Sequence, residues 1–168
     1  MCVNCTRCHF VKNSVVSSDI GETDINGGGI LLVSESELTV FSSTFESNTA
    51  DGDGGGIMCN ECSKMEITNS LFLNNIAGRG GGLSMFKTPI NGKIISTNFT
   101  FNNAIKGGGG AIYRVGKVAP VINSVSFEGN VALYGDNKAT EPFVATVRRE
   151  STAMISNDAA IKSPDILL

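Results

Sequence analysis

The sequence predicts an all-β chain wound as a right-handed parallel β-helix of about five coils, each roughly 27 residues long. Three observations carry this. A motif of the form F-x-x-N-x-A recurs along the chain. A glycine run leading into an apolar strand recurs between its copies. Between the two lies a short stretch in which apolar and polar residues alternate.

The first motif reads Phe45-Glu46-Ser47-Asn48-Thr49-Ala50. It returns as Phe72-Leu73-Asn74-Asn75-Ile76-Ala77, Phe99-Thr100-Phe101-Asn102-Asn103-Ala104 and Phe127-Glu128-Gly129-Asn130-Val131-Ala132. A looser copy starts at Phe10, so the steps from Phe to Phe are 35, 27, 27 and 28. The glycine element appears as Gly27–Ile30, Gly54–Ile57, Gly80–Leu83 and Gly107–Ile112. The alternating stretch holds Leu38-Thr39-Val40, Met65-Glu66-Ile67, Lys93-Ile94-Ile95 and Val121-Ile122. Each coil is therefore expected to carry three short strands: one after the glycines, one through the alternating stretch and one centred on the Phe. Glycine runs oppose helices, and no segment shows a 3.6-residue period.

Stacking coils at about 4.8 Å places equivalent residues above one another. Phe45, Phe72, Phe99 and Phe127 are expected to form an inward aromatic column. Asn48, Asn75, Asn102 and Asn130 are expected to form an amide ladder at a corner, since each amide can both donate and accept. Ala50, Ala77, Ala104 and Ala132 are read as small residues at a tight turn. The glycines, among them Gly56, Gly82 and Gly109, are read as supplying positive φ at the next corner. These are fold-maintaining roles: a catalytic group would break a repeat rather than obey it.

Composition narrows the function classes. Of 168 residues, 41% are hydrophobic, which permits a core, and 17% are charged with a net charge of −3, which argues against a nucleic-acid partner. No apolar window is long enough for a transmembrane helix, and Met1 to Phe10 lack a charged-then-apolar signal pattern.

The glycine and F-x-x-N elements resemble the repeats of the polymorphic outer-membrane proteins, which are autotransporter-type adhesins; very large protist surface proteins carry similar repeats. The resemblance covers roughly residues 1–140 and includes a following segment, Ala132 to Thr140. It implies a surface-exposed passenger region, extracellular or at the cell surface as part of a longer protein. It also implies adhesion, with a host-cell or extracellular glycan or protein as ligand. It implies no chemistry and no cofactor. The bacterial family carries a signal peptide and a membrane barrel that this sequence does not display.

The ends are expected to differ. Aligning Phe10 with Phe45 puts Cys5 at Val40 and Cys8 at Ser43, so the chain begins in mid-coil and reads as a fragment. An open first rung would invite self-association through its strand edge. The domain of residues 1–140 is followed by 141–168, read as a cap or the start of another β-segment.

Cys2, Cys5, Cys8, Cys59 and Cys62 make three C-x-x-C spacings, which could suit zinc. The two clusters fall on different coils, so local disulfides or buried thiols are the better reading, and no metal site is expected. Asp51-Gly52-Asp53-Gly54 resembles a short calcium loop without its further acidic ligands and reads as a solvated turn. Pectin-lyase-like β-helices include carbohydrate-active enzymes, which need clustered carboxylates beside a basic residue. Glu35, Glu37, Glu46, Glu61 and Glu66 read as scattered, and His9 is the single histidine. The expectation is a non-catalytic surface-exposed module of an adhesin-like or structural protein, with a carbohydrate-active enzyme or glycan-binding module as the alternative and a purely structural spacer between domains as a third reading. Asn4-Cys5-Thr6 and Asn98-Phe99-Thr100 are sequons that matter only in a secreted eukaryotic setting.

Overall fold

The computed structural model describes residues 2–17, 25–87, 91–116 and 118–141. Its strands form four five-stranded parallel sheets, and four turns of the chain separate the first strand of each sheet from the last. The first sheet holds Cys2–Thr6, Glu37–Phe41, Lys64–Thr68, Asn91–Ile95 and Val121–Asn123. The second holds His9–Val11, Thr44–Glu46, Leu71–Leu73, Asn98–Thr100 and Ser126–Glu128. The third holds Ser14–Val15, Thr49–Ala50, Ile76–Ala77, Asn103–Gly108 and Val131–Tyr134. The fourth holds Ile30–Leu32, Ile57–Asn60, Leu83–Phe86, Ile112–Val115 and Lys138–Thr140. The chain visits the sheets in that order once per coil, which makes it a parallel β-solenoid.

The register follows the repeat. Phe10, Phe45, Phe72, Phe99 and Phe127 are direct partners in the second sheet. In the first sheet Cys5 pairs with Val40, then Val40 with Ile67, Ile67 with Ile94, and Ile94 with Ile122. The long first step is confined to one place. Val15 pairs with Ala50, still 35 residues on, whereas Ile30 pairs with Ile57, 27 residues on. The extra residues therefore lie between Val15 and Ile30, and 18–24 fall outside the described residues.

Each coil has four strands, not three. The F-x-x-N-x-A motif is broken by a bend, because the residue before the Asn adopts the left-handed conformation. Ser47 has φ 55°, Asn74 55°, Phe101 54° and Gly129 60°. A second left-handed residue separates the first and second sheets, at Ser42, Asn69, Ser96 and Ser124. Such a conformation costs a non-glycine residue about 1–2 kcal/mol, so each bend needs compensating bonds, and the corner ladders described below supply them.

The core is a stack of side-chain layers. Leu38, Val40, Met65, Ile67 and Ile94 face inward from the first sheet, and Ile57, Cys59, Leu83 and Met85 from the fourth. All nine are at 0% exposure, which leaves the middle coils dry. Ala50, Ala77 and Ala104 are also buried, but in the third-sheet strands rather than at a turn. The glycine run packs back across that sheet: a Cβ on Gly55 would lie 2.6 Å from the Ile76 carbonyl oxygen.

The glycine column also differs from the expectation. Positive φ belongs to Gly27, Gly54, Gly80 and Gly109, not to Gly56 or Gly82. Gly56 and Gly82 are held to glycine by close approach. A Cβ on Gly82 would lie 2.8 Å from both the Ala111 carbonyl oxygen and the Phe99 ring. Gly109 belongs to the column of Gly54 and Gly80, and Ala111 occupies the column of Gly56 and Gly82. The fourth glycine run is thus offset by two residues from the reading of the sequence.

Of the segment 141–168, only Glu141 is among the described residues; its amide donates to the Arg114 carbonyl at 3.3 Å.

Candidate functional site

The repeat residues build two interior columns. Consecutive Phe rings from Phe10 to Phe99 stack with centroids 4.6–4.8 Å apart, and Phe99 to Phe127 widens to 5.7 Å. Beside them runs the Asn column. The Asn48 amide nitrogen donates to Asn75 Oδ1 at 3.0 Å and to the Phe10 carbonyl at 2.9 Å, and the Asn48 backbone N–H shares the same Oδ1 at 3.0 Å. Asn75 repeats this toward Asn102, and Asn102 toward Asn130. Asn130 ends the ladder by donating to the Phe99 carbonyl and to Asn137 Oδ1. None of the buried Asn side-chain atoms of this corner is left without a partner, which removes the cost of about 1–3 kcal/mol per orphaned group.

A second ladder escaped the sequence reading. At the corner between the first and second sheets, Ser43 Oγ, Ser70 Oγ and Thr97 Oγ1 each donate to the carbonyl two residues back, at 2.9 Å. Each also accepts the backbone N–H of its counterpart in the preceding coil, from Cys8, Ser43 and Ser70 respectively. Ser43, Ser70 and Thr97 recur at a step of 27, with Cys8 35 residues before Ser43, but Ser, Thr and Cys differ enough in type to hide the column.

The acidic loop is not an open cation site. Asp53 is buried and takes a bidentate pair from Arg79, Nε at 2.8 Å and Nη2 at 2.7 Å. The guanidinium lies over Phe86 and Tyr113, 5.1 and 5.0 Å from the ring centroids. Asp53 holds the Arg79 pKa above its usual range, chiefly through this hydrogen bonding. Burial pushes the Tyr113 phenol up to about 12. This cluster pins the glycine corner over the outer face of the fourth sheet.

Cys59 and Cys62 are disulfide-linked, and Cys2, Cys5 and Cys8 are free. No cluster of three or more His, Cys, Asp or Glu able to hold a metal occurs among the described residues.

The outer surface gives two faces that could meet a ligand. On the first sheet, Glu37 stands opposite Lys64 and Lys93 opposite Glu66, with Lys64 Nζ 3.6 Å from a Glu66 carboxylate oxygen. Glu37 and Glu66 are therefore not scattered: stacking gathers them on one face, interleaved with lysines. Glu61 is elsewhere and pairs with Lys87. On the third sheet, exposed apolar side chains collect near the last coils. Ile105, Val131 and Leu133 are 50–63% exposed, Ile76 lies on the same sheet, and Phe101, also exposed, sits at the bend before it. His9, Asn4 and Asn98 are exposed strand residues.

Against known proteins, the model of the Chlamydia polymorphic membrane protein repeat matches residues 42–60. That stretch takes in Phe45, Asn48 and Gly54 to Gly56, one copy of both motifs. No curated protein and no solved structure matches the chain. The matched repeat and the parallel solenoid together fit a β-helix of the polymorphic-membrane-protein or autotransporter type. No helix among the described residues is long and apolar enough to cross a membrane.

Proposed function

We propose that the chain is a non-catalytic, surface-exposed β-helix module of an adhesin-like protein, which presents its third-sheet face to a protein or glycan of a host cell or extracellular matrix. The observation that carries this reading is the match of residues 42–60 to the polymorphic membrane protein repeat. The exposed apolar side chains Ile105, Val131 and Leu133 of that sheet, with Phe101 at the bend before it, support it, because exposed apolar surface marks interaction sites when it is extensive. The test coats beads with the purified chain and measures saturable attachment to cultured cells. Attachment that falls in a Val131→Asp/Leu133→Asp variant supports the reading. Attachment no higher than with beads coated in an unrelated β-helix overturns it.

The rival reading, a carbohydrate-active enzyme, gains one observation from the structure. Glu37 and Glu66 share the first-sheet face with Lys64 and Lys93. The non-catalytic reading treats this as a surface charge lattice, each carboxylate facing a lysine. Release of new reducing or unsaturated sugar ends from polysaccharides, lost in Glu66→Gln, would establish the enzyme instead.

A further inference from the structure

The two C-x-x-C bends of the chain share one geometry. In Cys59-Asn60-Glu61-Cys62 the first Cys is a buried strand residue, Asn60 ends the strand facing solvent, and Glu61 is left-handed with φ 58°. That bend turns the second Cys back toward the core and holds the Cα atoms 5.7 Å apart, where the pair is disulfide-linked. In Cys5-Thr6-Arg7-Cys8 the first Cys is again a buried strand residue, Thr6 ends the strand facing solvent, and Arg7 is left-handed with φ 54°. Cys8 then packs against the same core cluster that contains Cys5. The Cys5 thiol meets that of Cys8; burial first, and then this contact, push the Cys5 pKa up to about 11.

The remaining spacing cannot compete. Cys2 and Cys5 lie on one extended strand, with Cys2 exposed and Cys5 buried. Three extended residues span about 10 Å, beyond the roughly 7 Å over which Cα atoms can be bridged.

We infer that Cys5 and Cys8 form a second disulfide site, a dithiol that closes across the Arg7 bend as Cys59 and Cys62 do across Glu61, and that Cys2 stays free. The oxidant is a disulfide, either a small molecule or an oxidoreductase. Cys8 is the more exposed thiol, so its thiolate attacks one sulfur of the oxidant and expels one thiolate. Cys5 gives its proton to solvent and attacks the Cys8 sulfur, expelling the second. Two protein thiols become one disulfide, and one external disulfide becomes two thiols. The bond would fasten the bend of the outermost described rung, whose first- and second-sheet strands each pair on one side only.

The test places the full chain in glutathione buffers of graded redox poise, alkylates free thiols, and maps the cysteines by mass spectrometry after digestion. Trypsin cleaves at Arg7, so a linked pair appears as two joined peptides. The expected result is that oxidised buffer lowers alkylation of Cys5 and Cys8 together by at least about tenfold, while Cys2 remains alkylated. Two variants guard against misfolding, because each installs a residue its column already holds: Cys8→Ser matches Ser43, and Cys5→Val matches Val40. In either variant the other cysteine should stay reduced within the chain at every poise. Cys2 and Cys5 share the peptide 1–7, so fragment ions locate the bond. A bond within that peptide, a joined pair in which Cys2 rather than Cys5 holds Cys8, or Cys5 and Cys8 still alkylated where Cys59 and Cys62 are linked, would overturn the inference.

Discussion

From Phe45 to Phe99 the aromatic column is spaced at 4.6–4.8 Å with every ring fully buried, whereas Phe127 sits 5.7 Å from Phe99 and is half-buried. The same motif builds both regions, so the difference must come from what surrounds it. Two changes are visible. In the middle coils Gly29, Gly56 and Gly82 lie beside the rings of Phe45, Phe72 and Phe99; in the next coil Ala111 occupies that column, so the repeat sets a methyl where the others have none. The inward columns of the fourth sheet also change character, running from Ile57 and Leu83 through Ile112 to Lys138, and from Cys59 and Met85 to Arg114 and Thr140. Lys138 Nζ ends 5.8 Å from the Phe127 ring centroid. Between these polar ends a cavity of about 290 Å3 opens, lined by Ile112, Arg114, Pro120, Ile122, Lys138 and Ala139. A repeat motif thus specifies the path of a coil, while the tightness of the coil depends on its small-residue and core columns.

The largest separation between the two regions should come from the rings. Phe72→Ala removes a fully buried ring and should cost about 3–5 kcal/mol, while Phe127→Ala should cost less than half of that. Urea titrations of the two variants measure both, and equal losses would erase the distinction between the regions.

Next comes the amide ladder. Asn75→Leu takes the shared acceptor from one Asn48 amide hydrogen and from the Asn48 backbone N–H, at about 1–3 kcal/mol for each unsatisfied group. Asn130→Leu should cost less, because Asn130 is the last rung and its neighbour Asn137 is exposed. A melting comparison that ranks Asn130→Leu as the worse variant would place the ladder's weight at the wrong end.

Exchanging the small residues sharpens the same contrast. Gly82→Ala forces a methyl against the Phe99 ring and the Ala111 carbonyl, and overpacking of this kind costs about 1–3 kcal/mol. Ala111→Gly removes the methyl from that column at the expense of backbone entropy, a cost of up to about 1 kcal/mol. Calorimetry of the pair should show the first variant well below the second; the opposite order would mean that the glycine column does not set ring spacing.

A smaller effect is read in pH. The Tyr113 phenol, raised to about 12 by burial, is held neutral in the folded chain above its ordinary range. Its stabilising contribution is present below the unfolded pKa of about 10 and is lost as pH rises through the folded value. Thermal midpoints between these pH values should fall, and less steeply in Tyr113→Phe. Lys87→Ala should be nearly silent, since its partner Glu61 is a surface carboxylate and exposed pairs contribute about 0–1 kcal/mol.

The path of the coil was legible because its markers repeat in identity: a Phe, an Asn and a glycine run each fall at a fixed offset. The fourth strand was not legible, because the bend that frees it uses Lys12, Ser47, Asn74, Phe101 and Gly129 in turn. Left-handed backbone is imposed there by the ladder behind it and leaves no shared residue type. The fourth glycine run misled for the converse reason: four consecutive glycines offer more than one register, and only pairing shows that Ala111 replaces a glycine. On the surface, Glu37 and Lys64 stand 27 residues apart, so a charge lattice that looks dispersed along the chain becomes contiguous once coils stack. The pairing of Asp53 with Arg79 joins neighbouring coils in the same way, and it is what turns a calcium-like loop into a closed ion pair.

The stacked columns are tested most directly by amide hydrogen exchange, residue by residue in solution. The Asn48 N–H donates to Asn75 Oδ1 and not to a sheet carbonyl, while the Asn102 N–H donates to Asn130 Oδ1. In the unaltered chain both should exchange slowly. In Asn75→Leu the Asn48 amide should lose its protection while the Asn102 amide keeps it. An Asn48 amide that exchanges at the same rate in both proteins would show that coils do not stack in this register.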